Sequence, residues 1–312
     1  MRLWVLLSAL GASGAALWCG QQSAAPPAAQ QSDEPARISV DVSRVNMLFT
    51  VTDKKGRFVT DLSREDFEVV EGKKPQTIQT FTAESDLPLR LGILIDTSNS
   101  VRDRFRFEQD AAAEFLRTVM RARVDKAILV RFDTRAELVT DLIDDPQLLE
   151  AGIRGLRPGG GTALYDAIFY VCRDKLALDQ PRTKFRRAIV IVSDGDDNQS
   201  DYTRDQALEM AQKADVVIYA ISTNSSRADT EGDKVLKYFT AETGGRAFFP
   251  FQVEDMAQSF ENIANELRHQ YNLLYRPEPL LTDGQWHAVN LRVKGRKDLI
   301  VRARAGYYAP KM

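Results

Sequence analysis

Apolar residues between positions 88 and 270 follow two alternating patterns, short continuous runs and longer segments with helical spacing. The short runs predict β-strands at 91–95, 127–132, 136–139, 188–192, 216–221 and 247–249. The longer segments predict helices at 101–121, 146–155, 163–178, 204–214, 234–243 and 253–270. Strands and helices that alternate in this way predict an α/β fold with a doubly wound, mostly parallel sheet.

The segments before and after this region carry β patterns instead. Strands are predicted at 47–51, 67–70 and 78–81 on the N-terminal side, and at 271–275, 286–293 and 299–304 on the C-terminal side. Either set alone would expose its edges and a poorly covered apolar face. Because the ends of a compact domain often lie close together, we predict that both flanks form one β-sandwich into which the α/β domain is inserted. The residues predicted to face the sandwich core are Val40, Val42, Phe49, Phe67, Leu274, Val289 and Leu291.

The first 36 residues are predicted to lie outside the folded part of the protein. The apolar segment 3–18 follows the lone Arg2 and is shorter than the roughly 20 residues that span a bilayer, as in a signal peptide. Residues 20–36 contain mostly Gln, Ala, Pro and Ser, which predicts a disordered linker. We therefore expect export to the periplasm or cell envelope.

The chain contains two cysteines, and each bears on this expectation. Cys19 stands where a lipoprotein is cleaved and acylated, although Trp18 occupies a position where a small residue is usual. Acylation of Cys19, ordinary cleavage nearby and a retained anchor helix all remain open, and a lipid anchor at Cys19 is the membrane contact we expect. Cys172 is then left without a partner for an internal disulfide, and its apolar surroundings predict a small buried hydrophobe.

Length and composition agree with a folded core and narrow the range of partners. Of the 312 residues, 44% are hydrophobic and 28% charged, and the formal net charge of −2 supplies no attraction to phosphate backbones. Nucleic acid is therefore not an expected partner. The expected organisation is a signal peptide at 1–19, a linker at 20–36, sandwich parts at 37–87 and 271–312, and the α/β domain at 88–270.

Oxygen-bearing side chains follow or precede the predicted elements at three places. Asp96, Ser98 and Ser100 come directly after the strand at 91–95. Thr162 follows a run of three glycines and precedes a predicted helix. Asp194 follows the strand at 188–192. Because ligands bind at the carboxyl ends of parallel strands, we expect these side chains to converge. A set of hard oxygen ligands without His or Cys suits Mg²⁺, with Mn²⁺ or Ca²⁺ as substitutes.

The order of these five residues resembles the metal-ion-dependent adhesion site of von Willebrand factor A domains, whose fold is Rossmann-like. The resemblance covers residues 88–270, and the flanks resemble, more loosely, a bacterial subgroup of exported A-domain proteins. It implies that the hydroxyls coordinate the metal directly or through water, that the aspartates complete and orient the shell, and that one position stays open for a partner's carboxylate. The implied function is a metal-dependent adhesion or assembly module of the cell envelope, binding a protein ligand through its Asp or Glu.

An aspartate-nucleophile phosphatase or phosphotransferase is the alternative, since such enzymes also begin with a strand that ends in Asp. They need a second acid two residues on, where this chain has Ser98, which holds no titratable proton near pH 7. A serine hydrolase is disfavoured because the chain lacks G-x-S-x-G and has only His269 and His287. We therefore expect no catalysis. Nearby acidic residues form either a solvated rim or a selectivity surface; these are Asp196, Asp197, Asp201 and Asp205.

Overall fold

The structure is a computed structural model that describes residues 44–83, 86–102, 104–224 and 228–311. The predicted signal peptide, the linker, Cys19, Val40 and Val42 lie outside the described residues. Of the helices it describes, none combines the length and apolarity that crossing a membrane would require.

The described chain contains fourteen strands and six α-helices. The strands are β1 (Val45–Asp53), β2 (Phe67–Glu71), β3 (Lys74–Gln76), β4 (Ile78–Thr82), β5 (Leu89–Asp96), β6 (Lys126–Phe132), β7 (Ala136–Ile143), β8 (Arg186–Ser193), β9 (Val216–Ser222), β10 (Ala247–Phe248), β11 (Tyr271–Tyr275), β12 (Trp286–Val293), β13 (Leu299–Ala303) and β14 (Gly306–Tyr308). The helices are α1 (Phe105–Val119), α2 (Pro146–Gly155), α3 (Leu164–Asp174), α4 (Arg204–Lys213), α5 (Glu231–Thr243) and α6 (Val253–Arg268).

Six strands form the central sheet in the order β10-β9-β8-β5-β6-β7. All neighbouring pairs are parallel except β6 and β7. Every residue of β5 and β8 is buried, which explains their continuous apolar runs. Helices α1, α2 and α6 pack on one face and α3, α4 and α5 on the other, so the predicted doubly wound, mostly parallel sheet is confirmed. Cys172 is fully buried in α3, as predicted.

The flanks form two antiparallel four-stranded sheets, in the orders β13-β1-β11-β4 and β14-β12-β2-β3. Each sheet contains strands from both sides of the α/β domain. An aromatic cluster joins them, because the ring of Phe49 lies 5.1 Å from that of Phe67 and 5.3 Å from that of Tyr271. The predicted insertion of the α/β fold into a β-sandwich is therefore confirmed, whereas the domain boundaries at 88 and 270 stay predictions.

The face assigned to Leu274 was wrong. Leu273 is fully buried in the sandwich core, while Leu274 is only partly buried. Side chains alternate between the faces of a strand, and the buried tyrosines at both ends of β11 fix the inward set as the odd positions. The predicted core residues Phe49, Phe67 and Val289 are buried, and Leu291 packs against the same core.

Two predicted helices are shorter in the structure by five residues or more. Helix α1 begins at Phe105, because the chain first makes a 3-10 turn over Asn99–Val101. Helix α3 ends at Asp174, and a 3-10 turn over Leu176–Leu178 completes the predicted segment. The first of these turns shapes the loop that carries Ser98 and Ser100.

Candidate metal centre

The loop after β5 brings three of the predicted site residues together. Asp96 is fully buried, and its Oδ1 accepts a hydrogen bond from the Ser98 amide at 2.8 Å. Its Oδ2 accepts one from the Ser193 hydroxyl at 2.6 Å. The hydroxyl oxygens of Ser98 and Ser100 lie 2.8 Å apart. Asp96 therefore ties the ends of β5 and β8 together and holds two hydroxyls in one place.

The glycine-rich loop before α3 is bonded to the loop after β5. The Gly159 amide donates to the Thr97 carbonyl at 2.6 Å, and the Asn99 amide donates to the Gly160 carbonyl at 3.3 Å. Gly160 has a φ of +92°, and an added Cβ would lie 2.8 Å from the Thr134 hydroxyl. A side chain at position 160 would therefore collide with the turn between β6 and β7.

Thr162 connects the same loop to the segment after β8. Its amide donates to Asn198 Oδ1 at 3.1 Å, and its carbonyl accepts from the Asn198 amide at 3.0 Å. Thr162 is buried, and no other described residue hydrogen-bonds to its hydroxyl. That hydroxyl is thus available to a ligand.

Asp194 is placed by a close contact that the sequence analysis missed. Its Oδ1 accepts a hydrogen bond from the Asp196 amide at 3.2 Å. Gly195 has a φ of +84°, and a Cβ there would lie 2.2 Å from the Gly232 carbonyl oxygen. A Cβ on Gly232 would lie 2.2 Å from the Asp194 carbonyl oxygen. Only glycines fit this approach between the loop after β8 and α5.

The electrostatics of the site fit a divalent cation. Burial raises the pKa of Asp96 to about 6, and the nearby charge of Asp194 acts in the same direction. In the described part of the chain neither carboxylate forms an ion pair, and no three His, Cys, Asp or Glu residues group closely enough to hold a metal. A cation would therefore rely on the hydroxyls of Ser98, Ser100 and Thr162 as well as on the two carboxylates, which is a hard oxygen set.

Glu108 is a second feature that the sequence analysis missed. It lies on α1, is fully buried, and neither of its carboxylate oxygens has a hydrogen-bond partner among the described residues. Burial raises its pKa to about 8, the charges of Asp96 and Asp194 raise it further, and Arg104 opposes this. The available signal was its position four residues before Ala112 in the apolar stripe of α1, where an acid is unexpected.

The metal-free protein is expected to lose stability as the pH rises from 5.5 to 8.5. Asp96 and Glu108 have native pKa values of about 6 and about 8, above their ordinary values of 3.8 and 4.5. The native state therefore binds more protons, and the stabilisation is lost as the pH rises through these values. We expect a decrease on the order of 3 kcal/mol in the free energy of unfolding, measured by urea titration in EDTA. Glu108→Gln should remove the step near pH 8; a profile that is flat or rises in the wild type would contradict this prediction.

The acidic residues beside the site differ in their roles. The Asp197 carboxylate accepts hydrogen bonds from the Tyr165 amide at 3.0 Å and the Ser200 hydroxyl at 2.7 Å, so it holds the start of α3. Asp196, Asp201 and Asp205 are exposed. Their exposure fits both a solvated rim and a selectivity surface.

The two histidines lie on other elements. His269 caps α6 and stacks on Phe58, with ring centroids 4.9 Å apart. His287 on β12 pairs with Asp283 at 3.0 Å. Neither is bonded to a residue of the predicted site.

The model of the von Willebrand factor type A domain matches residues 91–196. Among curated proteins the chain has no match. A solved structure of an aerotolerance-related membrane protein from Bacteroides fragilis is 17% identical, with a TM-score of 0.44 over 57% of this chain and 99% of that chain. Proximal thread matrix protein 1 from the mussel byssus, solved with a zinc-occupied MIDAS motif, is 13% identical, with a TM-score of 0.51 over 64% of this chain and 50% of that one.

The matched residues include strands β5 to β8 and all five predicted site residues. The likeness to the mussel protein concerns the fold alone, because the sequence identity is low. The family match and the doubly wound sheet agree with each other. Residues 91–196 of this chain therefore match the von Willebrand factor type A domain family, within an α/β fold that is inserted between two β-rich flanks.

Proposed function

We propose that this protein is a metal-dependent protein-binding module for adhesion or assembly at the cell envelope. One divalent cation would be held by Asp96, Ser98, Ser100, Thr162 and Asp194. The observation that carries the proposal is the pair of Ser98 and Ser100 hydroxyls, 2.8 Å apart, in the loop that Asp96 ties to β8. Mg²⁺ suits these oxygens best, with Mn²⁺ or Ca²⁺ as substitutes, and the zinc in the mussel protein's motif supports a divalent ion.

The proposed ligands have different roles in binding the cation. Both oxygens of Asp96 already accept hydrogen bonds, so Asp96 chiefly orients the loop and supplies negative charge. The serine and threonine hydroxyls would be neutral ligands of the cation. When bound, the cation supplies a Lewis-acidic position that an Asp or Glu side chain from outside can occupy. The negative charges of the two aspartates balance the two positive charges of the cation. The other ligands are neutral, so an incoming carboxylate is not repelled by a further ionised ligand.

The proposed partner is a protein that presents one Asp or Glu, and nucleic acid is not proposed. The exposed rim of Asp196, Asp201 and Asp205 would repel broadly acidic partners and favour basic residues around the carboxylate that binds.

Capture of this partner from an envelope extract is expected to need both the cation and the Ser98 hydroxyl. EDTA removes the cation, and Ser98→Ala removes one of its ligands. Each should therefore abolish capture, because the partner's carboxylate is left without a cation to bind. Thr118→Ala, on the exposed surface of α1, is the matched control and should capture normally. Circular dichroism must show an unchanged fold. A partner that is retained in excess EDTA would place the interaction on another surface.

The absence of catalysis is part of this proposal. Asp96 is fully buried and both of its oxygens are engaged, which disfavours attack on a phosphoryl group. Ser98 donates no proton near neutral pH. Turnover of an aryl phosphate that is lost in Asp96→Asn would support the phosphatase alternative instead.

Export with a lipid anchor at Cys19 is proposed from the sequence alone. Fractionation of cells that produce the wild type and Cys19→Ser tests it. We expect the wild type in the membrane fraction and the variant in the soluble periplasm. A cytosolic wild type would reject export, and an unchanged distribution of the variant would reject the anchor.

A further inference from the structure

The proposed function does not explain why Glu108 is buried without a hydrogen-bond partner. Its side chain is fully buried, and both carboxylate oxygens lack a partner among the described residues. Buried polar groups in native proteins are nearly always hydrogen-bonded, and a buried carboxyl group is among the costliest to leave alone. We therefore expect the carboxyl group of Glu108 to have a hydrogen-bond partner other than the described residues.

The position of Glu108 shows where that partner would lie. Helix α1 starts five residues after Ser100, and Glu108 is on its first turn, on the buried side with Phe105 and Ala112. The charges that act on Glu108 are those of Asp96 and Asp194, both from the candidate metal centre, and that of Arg104. Glu108 is thus close enough to the candidate metal centre for the charges of both aspartates to act on it.

Thr223 is a second buried side chain near the end of β8. Its hydroxyl is buried and has no hydrogen-bond partner among the described residues. Its amide donates to the Ser193 carbonyl at 3.1 Å, directly beside Asp194. Its carbonyl accepts a hydrogen bond from Arg104 at 3.4 Å, one helical turn before Glu108. Thr223 is thus bonded both to the end of β8 and to Arg104, which directly precedes the helix that carries Glu108.

Glu108 does not form a three-carboxylate ligand set with Asp96 and Asp194. In the described part of the chain no three acidic, His or Cys side chains come close enough to share an ion. A water molecule can bridge the gap, since ions of this class keep several waters in their coordination shell. Groups that hold such waters are known to affect metal affinity strongly.

We propose that Glu108 is a positioning residue of the candidate metal centre, and that it holds a cation-bound water together with the Thr223 hydroxyl. This inference rests on the proposed function, because it assumes a cation held by Asp96 and its neighbours. Glu108 would add a third acidic group, outside the direct ligands, that favours retention of the cation.

The test is calorimetry of Mn²⁺ binding to the full exported chain, with the wild type, Asp96→Ala, Glu108→Gln and Glu108→Leu. We expect Glu108→Gln to raise the dissociation constant about 10-fold and Glu108→Leu to raise it further. Thermal unfolding in EDTA is the second readout: Glu108→Gln should be as stable as the wild type or more so, because it removes a buried acid. The matched control is Glu114→Gln on the exposed face of the same helix, which should change neither quantity.

The outcomes separate the two proposals. Without Mn²⁺ binding in the wild type, or with equal binding in Asp96→Ala, the proposed function fails and this inference fails with it. Binding that depends on Asp96 but stays within twofold in both Glu108 variants overturns only this inference, and so does a loss of affinity matched by a loss of stability in EDTA. If the Glu108 variants do not fold, Thr223→Val decides: weaker binding supports the bridging water, and unchanged binding overturns it.

Discussion

Asp96→Ala is expected to abolish cation binding. The substitution removes a buried carboxylate that accepts hydrogen bonds from the Ser98 amide and the Ser193 hydroxyl. The loop would lose both its tie to β8 and half of the negative charge supplied by the two aspartates. Since even groups outside the direct ligands affect affinity 10- to 100-fold, we expect a loss greater than about 100-fold. Calorimetry with Mg²⁺ and Mn²⁺ measures it.

The control for this variant is Asp201→Ala, which removes the same charge from the exposed rim. It should bind the cation nearly as well as the wild type, because exposed charges are screened by water and salt. Equal binding by Asp96→Ala and the wild type would sink the site assignment. The fold itself should survive in both variants, since Asp96→Ala removes an acid whose burial is unfavourable.

Removal of residues 271–312 is expected to unfold the N-terminal β segment as well. Strand β1 has β11 and β13 as its neighbours, and β2 lies between β12 and β3. The deletion removes both neighbours of β1, one neighbour of β2, and Tyr271 from the aromatic cluster. What remains is short strands with open edges and an uncovered apolar face.

Hydrogen exchange measures this effect. Amides in β1 and β2 should lose their protection and exchange at rates close to those of an unfolded chain. The control is a deletion of residues 310–312, beyond β14, which leaves every strand in place. Unchanged protection of β1 and β2 in the longer deletion would show that the two flanks fold independently.

The sequence by itself determined the parts of this protein that depend on neighbouring residues. Alternating apolar runs and helical stripes predicted the doubly wound sheet, because burial of a strand or a helix face leaves a local period. The order of Asp96, Ser98, Ser100, Thr162 and Asp194 predicted a metal centre, and this assignment stays a prediction. The need to cover two small sheets predicted the shared sandwich.

The tertiary structure decided what depends on residues far apart in the chain. Local alternation did not show whether Leu273 or Leu274 faces the core, because either phase fits a short apolar strand, and strand pairing chose between them. No local signal marked the contact of Gly195 with Gly232, 37 positions apart. Glu108 lies in the apolar stripe of α1, and the sequence alone does not show whether its carboxyl group is buried. Only the packing of α1 shows that its carboxyl group is fully buried and has no hydrogen-bond partner among the described residues.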